Sequence, residues 1–126
     1  MPDPAQSLLQ SLIFHWDETP EQSTSTGSTR KFFKAPTSTL DQLSVHVTTL
    51  NLGESAHPPH QHPEEEMIIV KEGVLEALHN GQKVQMSAGS ILFIAPNDLH
   101  GVRNAGTTPA SYLVVKWWPP GMLKNA

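Results

Sequence analysis

The chain has 126 residues, a length typical of one domain with an adequate hydrophobic core. Its formal net charge is −4, 16% of its residues are charged, and lysine and arginine form no cluster, so we expect neither nucleic acid nor a membrane surface as a partner. The absence of cysteine excludes disulfide bonds and thiolate metal ligands. Because small domains often gain by burying surface against a second copy, we expect a homodimer.

The N-terminal part, residues 1–29, is predicted to be an extension that ends in a linker. Residues 1–15 are too brief a pattern to distinguish a helix from a strand. The apolar stretch at 8–14 has no basic residues before it and does not resemble a secretory signal. We expect a cytoplasmic protein from the chain as it stands, and a periplasmic one if an export signal precedes it. Residues 23–29 are serine, threonine and glycine with nothing to bury, as in a linker.

Short strands separated by turn residues follow, and they predict a folded unit over residues 30–119 and a tail at 120–126. Asn80-Gly81 is the strongest hairpin signal in the chain. The runs that resemble strands are 43–52, 67–70, 74–79, 82–87, 90–95 and 111–118. Strands and helices do not alternate, so nothing supports a parallel sheet. The sequence therefore predicts an all-β domain, a sandwich or small barrel of antiparallel strands.

Histidines suggest a metal site within this β unit. His60 and His62 are two residues apart, so both side chains project from the same face of an extended segment. The prolines around them argue against a helix. A carboxylate from the run 64–66 and the later His100 complete a set of nitrogen and oxygen ligands that suits a divalent transition metal.

Two motifs in this region resemble those of small single-domain cupins. The first consists of His60, His62, Glu66 and Gly73, preceded by Gly53 with one extra residue in the interval. The second consists of Gly89, Pro96, His100 and Asn104, with an interval between proline and histidine that is one residue shorter than usual. The resemblance covers about residues 40 to 118 and implies an RmlC-like jelly-roll barrel, a double-stranded β-helix, of a kind common in bacteria.

The resemblance also implies a ligand set. It assigns His60, His62, Glu66 and His100 to one metal ion, and these ligands suit Mn, Fe, Co, Ni or Zn without choosing among them. Glu64 is the alternative carboxylate, because it has the same strand parity as the two neighbouring histidines. Four protein ligands leave one or two positions for water, dioxygen or a chelating substrate.

Strand parity predicts the cavity beside the metal. If Glu66 points inward, so do Ile68 and Val70; if His100 does, so do Val102 and Asn104. These residues predict a mostly apolar pocket for a small ligand that chelates the metal through oxygen atoms. His57 is expected either at the mouth of this pocket as a proton carrier or as a solvated loop residue. For His46 the sequence leaves two orientations open, beside the site or outward.

The function expected from these features is that of a metal-dependent small cupin acting on a small oxygen-chelating metabolite. The chemistry would be that of a dioxygenase or of a related lyase, hydrolase or isomerase. A non-enzymatic alternative is a metal-dependent ligand-binding domain, or a barrel that its metal only stabilises. No catalytic acid or base is evident beyond the ligands, so the sequence assigns no catalytic residue.

Overall fold

The structure is a computed structural model that describes residues 7–123, and within this range it consists of antiparallel strands. A 3-10 helix at Trp16–Glu18 precedes nine strands. The strands are β1 (Glu21–Thr24), β2 (Gly27–Ala35), β3 (Gln42–Leu50), β4 (Glu65–Glu72), β5 (Leu75–His79), β6 (Gln82–Met86), β7 (Ile91–Ile94), β8 (His100–Asn104) and β9 (Ala110–Trp118). No helix among the described residues is long and apolar enough to span a membrane.

The strands form two sheets that enclose one core. The larger sheet has the order β1-β2-β3-β9-β4-β7, and the smaller has the order β6-β5-β8. Along β4 the even-numbered residues from Glu66 to Val70 are buried, as expected for a strand with one face toward the core. The prediction of an antiparallel all-β domain is confirmed, and each predicted strand run corresponds to one of these strands.

Two turns illustrate how local sequence fixes this topology. Asn80 and Gly81 have positive φ values of 47° and 85°, and the two-residue turn joins β5 to β6 as predicted. Gly73, the last glycine of the first motif, has φ of 81° between β4 and β5. A Cβ atom there would lie 2.8 Å from Ala110 of β9, so this crossing requires glycine.

The N-terminal region differs from the expectation. The polar residues 23–29 do not form a linker but a tight hairpin between β1 and β2, and β2 continues through the boundary expected at residue 30. Its hydroxyl groups find partners in the sheet: the Thr29 hydroxyl donates to the Val47 carbonyl at 3.0 Å. Residues 7–15 form neither helix nor strand, and residues 1–6 and 124–126 lie outside the described range.

The homodimer stays a prediction. The edge strand β7 exposes two large apolar side chains, Ile91 at 61% and Phe93 at 48%. An exposed apolar edge strand is a surface that proteins usually cover.

Candidate metal centre

The four predicted ligands come from three parts of the fold. His60 and His62 lie on the extended segment before β4, Glu66 lies on β4, and His100 is the first residue of β8. The backbones of His60 and His100 form an isolated antiparallel bridge, with two N–H···O bonds of 2.9 Å each. This bridge holds the two motifs together although those two histidines are 40 positions apart in the chain.

The side chains of these four residues converge. One imidazole nitrogen from each histidine and one Glu66 carboxylate oxygen all lie within 4.8 Å of one another. The His60 and His100 ring centroids are 4.7 Å apart, and those of His62 and His100 are 4.9 Å apart. The rings meet edge to face at 74° and 84°. Three imidazoles and one carboxylate therefore surround a single point, and we call this group the four-residue cluster.

Backbone carbonyl groups fix the orientation of two of these imidazoles. His62 Nδ1 donates to the Glu64 carbonyl at 2.9 Å, and His100 Nδ1 donates to the Asp98 carbonyl at 2.8 Å. Since Nδ1 carries the proton in each neutral ring, Nε2 carries the lone pair and faces the cluster. Metal-ligating histidines usually have this arrangement, in which the outer nitrogen donates to a carbonyl or carboxylate.

The inner atoms of the cluster present lone pairs to one another. His100 Nε2 is buried and has no hydrogen-bond partner among the described residues. His62 Nε2 lies 2.9 Å from Glu66 Oε1, and both atoms present lone pairs when the ring is neutral and the carboxyl is ionised. Such atoms attract each other only with a cation between them, either a proton or a metal ion. The residues present therefore fit a divalent transition metal.

The charge states of Glu66 and His60 also suit the binding of a metal ion. Burial raises the pKa of Glu66, but the neighbouring His100 and Lys116 outweigh it and hold that pKa below its usual value. Burial and the nearby His57 and His100 lower the pKa of His60 to about 4. Glu66 is thus ionised and His60 neutral at pH 7, the states that bind metal ions.

Glu64, the alternative carboxylate, is buried behind the cluster instead of within it. Its Oε1 is 3.3 Å from His62 Nδ1, the outer nitrogen of that ring, and its Oε2 is 3.9 Å from Lys116 Nζ. The arrangement brings Glu66 into the set of four inner atoms and gives Glu64 a supporting position beside His62.

A cavity of about 90 Å³ adjoins the four-residue cluster and opens to solvent. His60, Glu66 and His100 line one side of it. An adjoining wall comes from the paired strands β3 and β9, which lie beside β4 in the larger sheet. We call this the β3–β9 wall, and its lining residues are His46, Thr48, Tyr112, Val114 and Lys116.

Comparison with known proteins agrees with this geometry. The family described as the cupin domain matches residues 46–116, more than half of the chain. The chain belongs to the cupin family. A curated relative, the HTH-type transcriptional activator RhaS of Klebsiella pneumoniae (strain 342), is 36% identical over 69 residues. This match spans 55% of the chain but only 23% of the activator.

Solved cupin structures superpose on the chain. An RmlC-like cupin from Shewanella frigidimarina NCIMB 400 matches with a TM-score of 0.69 and 17% identity, over 91% of this chain and 95% of that one. The DMSP lyase DddQ from Ruegeria pomeroyi DSS-3 matches with a TM-score of 0.54 and 28% identity, over 62% of this chain and 39% of that one. The first likeness establishes the RmlC-like jelly-roll fold.

Some of the predicted pocket residues line the cavity of this cupin, and some do not. Ile68 and Val102 do, and His57 lies at the mouth, exposed and stacked on His60 with ring centroids 4.0 Å apart. Val70 is buried in the core instead. Asn104 is also buried, and its Nδ2 is satisfied there by donating to the carbonyls of Leu50 and Thr108. Their inward parity was right, but both lie too far along their strands to reach the cavity.

The pocket is less apolar than expected, because the β3–β9 wall carries polar groups. Lys116 Nζ lies 3.9 Å from Glu66 Oε1. Burial lowers the pKa of His46, and the positive charge of Lys116 lowers it further, so this imidazole is neutral at pH 7. Burial raises the pKa of Tyr112 to about 12, so its hydroxyl keeps its proton. An available signal was missed: Lys116 is a lone charge in an apolar strand, with the same parity as Tyr112.

Proposed function

We propose that this cupin binds one divalent transition metal at the four-residue cluster and acts on a small, anionic, oxygen-chelating metabolite in the adjoining cavity. The observation that carries the proposal is the convergence of three imidazole nitrogens and one carboxylate oxygen within 4.8 Å. The lone pairs of His62 and His100 that face the cluster support it further. Mn, Fe, Co, Ni and Zn all accept such a ligand set.

The size of the cavity limits the ligand. Pockets for drug-sized molecules usually have volumes of about 300–1,000 Å³, whereas this cavity has about 90 Å³. It therefore suits the reacting end of a ligand, a group of a few non-hydrogen atoms. When bound, the metal would act there as a Lewis acid that polarises an oxygen atom of the substrate.

The β3–β9 wall supplies the groups that an enzyme needs beside a metal. Lys116 is placed to attract a carboxylate, although it also compensates Glu64 and Glu66 at 3.9 Å each. Neutral His46 is able to accept a proton, and the Tyr112 hydroxyl is able to donate a hydrogen bond. These groups support an enzyme of dioxygenase, lyase, hydrolase or isomerase type, and the likeness to a DMSP lyase favours the lyase class among these.

A second candidate function is metal-dependent binding without turnover. The similarity to part of a transcriptional activator favours it. In this case the same metal and cavity would bind the ligand, and Lys116 would orient it.

One experiment tests the metal site and separates these candidates. Protein purified without an affinity tag or added metal is analysed by elemental mass spectrometry, together with His60→Ala and with Gln61→Ala as an exposed neighbouring control. We expect about one equivalent of metal in the wild type and the control, and none in His60→Ala. Equal metal content in all three proteins, or none in any after reconstitution, would refute the site.

The metal-loaded protein is then incubated with 2-hydroxy acids, 2-oxo acids, diketones and catechols, followed by NMR and by an oxygen electrode. Conversion that is absent in His60→Ala supports the enzyme. Saturable binding of such a compound with no conversion supports the binding domain.

A further inference from the structure

Glu64 is a buried carboxylate that lies outside the four-residue cluster. Removing a carboxylate from water is costly unless cations or hydrogen-bond donors compensate it. A buried carboxylate therefore has partners, and the partners of Glu64 indicate its role.

The two oxygen atoms of the Glu64 carboxylate face two different partners. Oε1 lies 3.3 Å from His62 Nδ1, and Oε2 lies 3.9 Å from Lys116 Nζ. Lys116 supplies the positive charge that compensates the buried carboxylate. The contact with His62 is the closer one, and it leads directly into the cluster, because Nε2 of the same ring lies 2.9 Å from Glu66 Oε1.

The contact between Glu64 and His62 is on the side of the ring that faces away from the cluster. His62 Nδ1 donates its proton to the Glu64 carbonyl at 2.9 Å, and the carboxylate of the same residue lies beside this N–H group. A metal ion at Nε2 withdraws electron density from the ring and makes the N–H group more positive. A carboxylate 3.3 Å away stabilises that charge, and strongly so here, because the two side chains are only 13% and 11% exposed.

His100 has the same carbonyl contact but no such carboxylate. Its Nδ1 donates to the carbonyl of Asp98, also two residues away, at 2.8 Å. The Asp98 carboxylate is directed to His79 instead, with 3.2 Å between Oδ2 and Nε2, and its side chain is 33% exposed. A carbonyl acceptor is thus common to both rings, and the buried carboxylate is specific to His62.

We propose that Glu64 is a positioning residue that strengthens metal binding through His62. Its backbone carbonyl fixes the orientation of the ring, and its carboxylate stabilises the positive charge that the ring acquires when Nε2 binds the ion. The inference rests on the metal-binding function proposed above. It adds to that function a residue that is not a ligand and yet determines the affinity for the metal.

The substitution Glu64→Gln tests this proposal, because it removes the charge and keeps the length of the side chain. The backbone carbonyl still accepts the hydrogen bond from Nδ1, so the ring keeps its orientation. We expect the affinity for Zn²⁺, measured by competition with a chromogenic chelator, to fall by about tenfold, the lower end of the range for loss of an outer-shell partner.

The matched control is Glu65→Gln, the same substitution at the next residue. Successive residues of a strand project from opposite faces, so Glu65 points away from the face of β4 that carries Glu66. Its carboxylate accepts a hydrogen bond from Trp117 Nε1 at 3.1 Å. The affinity of this variant for Zn²⁺ should equal that of the wild type. An equal loss in both variants would show an unspecific effect of charge and overturn the role of Glu64.

A spectroscopic signature distinguishes this role from a merely structural one. In zinc-loaded protein with isotope-labelled histidine, NMR detects the proton on Nδ1 of each ligand ring. A charged acceptor strengthens a hydrogen bond and shifts its proton downfield. Glu64→Gln should therefore move the His62 resonance upfield and leave that of His100, the internal reference, in place. Movement of both resonances, or of neither, would overturn the proposal.

The second partner of Glu64 offers another route to the metal, and a double variant separates the two routes. Without the Glu64 carboxylate, Lys116 would be compensated by Glu66 alone and would weaken metal binding from there. This route is absent when Lys116 is replaced by methionine. In the Lys116→Met background, Glu64→Gln should still lower the affinity by about tenfold. Equal affinities with and without Glu64→Gln in that background would assign the effect to Lys116 and overturn the action through His62.

The failures of the two proposals are distinguishable. Wild-type protein that binds no metal would refute the metal-binding function, and with it the role of Glu64. Zinc binding that is equally tight in the wild type and in Glu64→Gln would overturn the role of Glu64 while leaving the metal site intact.

Discussion

The two sides of the cavity differ in how they are built. The four-residue cluster comes from two short motifs, in which carbonyl groups two residues away orient the rings of His62 and His100. The β3–β9 wall instead comes from two long paired strands, with His46 and Lys116 seventy positions apart in the chain. We infer that the first side binds the metal and the second binds the ligand. Mutations in the first should therefore lower the affinity for the metal, and mutations in the second should lower the affinity for the ligand.

The largest expected effect is on the metal. His62→Ala removes an inner nitrogen, so we expect the affinity for Mn²⁺ or Zn²⁺ to fall by more than about 100-fold, beyond the 10–100-fold typical for loss of an outer-shell partner. Competition with a chromogenic chelator measures this, with Gln61→Ala as the exposed control. The far-ultraviolet circular dichroism should remain β-rich. Unchanged affinity would exclude His62 as a ligand.

The next largest effect is expected on stability alone, from the substitution of Asn104. This residue lies at the opposite end of β8 from His100. The buried Asn104 side chain donates to two carbonyls and accepts a hydrogen bond from the Gly106 amide at 2.9 Å. Asn104→Ala leaves these groups without a partner and should lower the free energy of unfolding by about 3 kcal/mol. Urea denaturation checks this.

The control for that variant is its exposed neighbour. Arg103 makes one ion pair with Glu76 at 3.6 Å, and such surface pairs contribute at most about 1 kcal/mol. Arg103→Ala should therefore stay within about 1 kcal/mol of the wild type. If Asn104→Ala cost no more than Arg103→Ala, the hydrogen bonds of Asn104 would not stabilise the barrel.

The contrast between local motifs and distant paired strands also explains which features could be predicted from the sequence. The hairpin at Asn80-Gly81 and the strand at Met67–Val70 follow from local chemistry, and the structure contains both. The cluster residues stand in two short motifs, so their convergence was also predictable. The hairpin at residues 23–29 was not, because its polar strands resemble a linker unless β3 is present to pair with them.

The β3–β9 wall was hidden for a similar reason. Parity within β9 gives Lys116 and Tyr112 the same face, but parity alone does not tell which face meets the cavity. That choice depends on the register Glu66↔Lys116 and His46↔Val114, which are contacts between distant parts of the chain. Non-local pairing is the information that a local pattern lacks.

A moderate effect is expected from pH, and it should separate two ligands of the cluster. Burial lowers the pKa of His100, but Glu66 and the Asp98 carbonyl outweigh it and raise that pKa above 6.5. A metal ion must displace this proton at lower pH. As the pH is lowered, the affinity for the metal should therefore begin to decrease while the pH is still above 6.5, and it should then decrease by about tenfold per pH unit for this one proton.

His60 should contribute to that profile only in more acidic solution. Its pKa of about 4 means that the ring stays neutral until the pH approaches 4, so its proton steepens the loss of metal only there. Chelator competition between about pH 3.5 and 8 would show the onset due to His100 and, near pH 4, the added loss due to His60. An affinity that stayed constant down to pH 5 would contradict ligation by His100.

The smallest effect is expected from the substitution of Lys116, and it should distinguish the four-residue cluster from the β3–β9 wall most clearly. Lys116→Met removes a positive charge 3.9 Å from Glu66, so the affinity for the metal should stay equal or increase slightly, because a cation no longer repels the ion. The affinity for an anionic ligand such as 2-hydroxypentanoate should instead fall by about tenfold, since a charge-assisted contact is lost. Calorimetry on the metal-loaded variant measures both quantities. Opposite signs for metal and ligand are the signature of a wall that binds the ligand, whereas a joint loss would make Lys116 a support of the metal site and remove the distinction between the two sides.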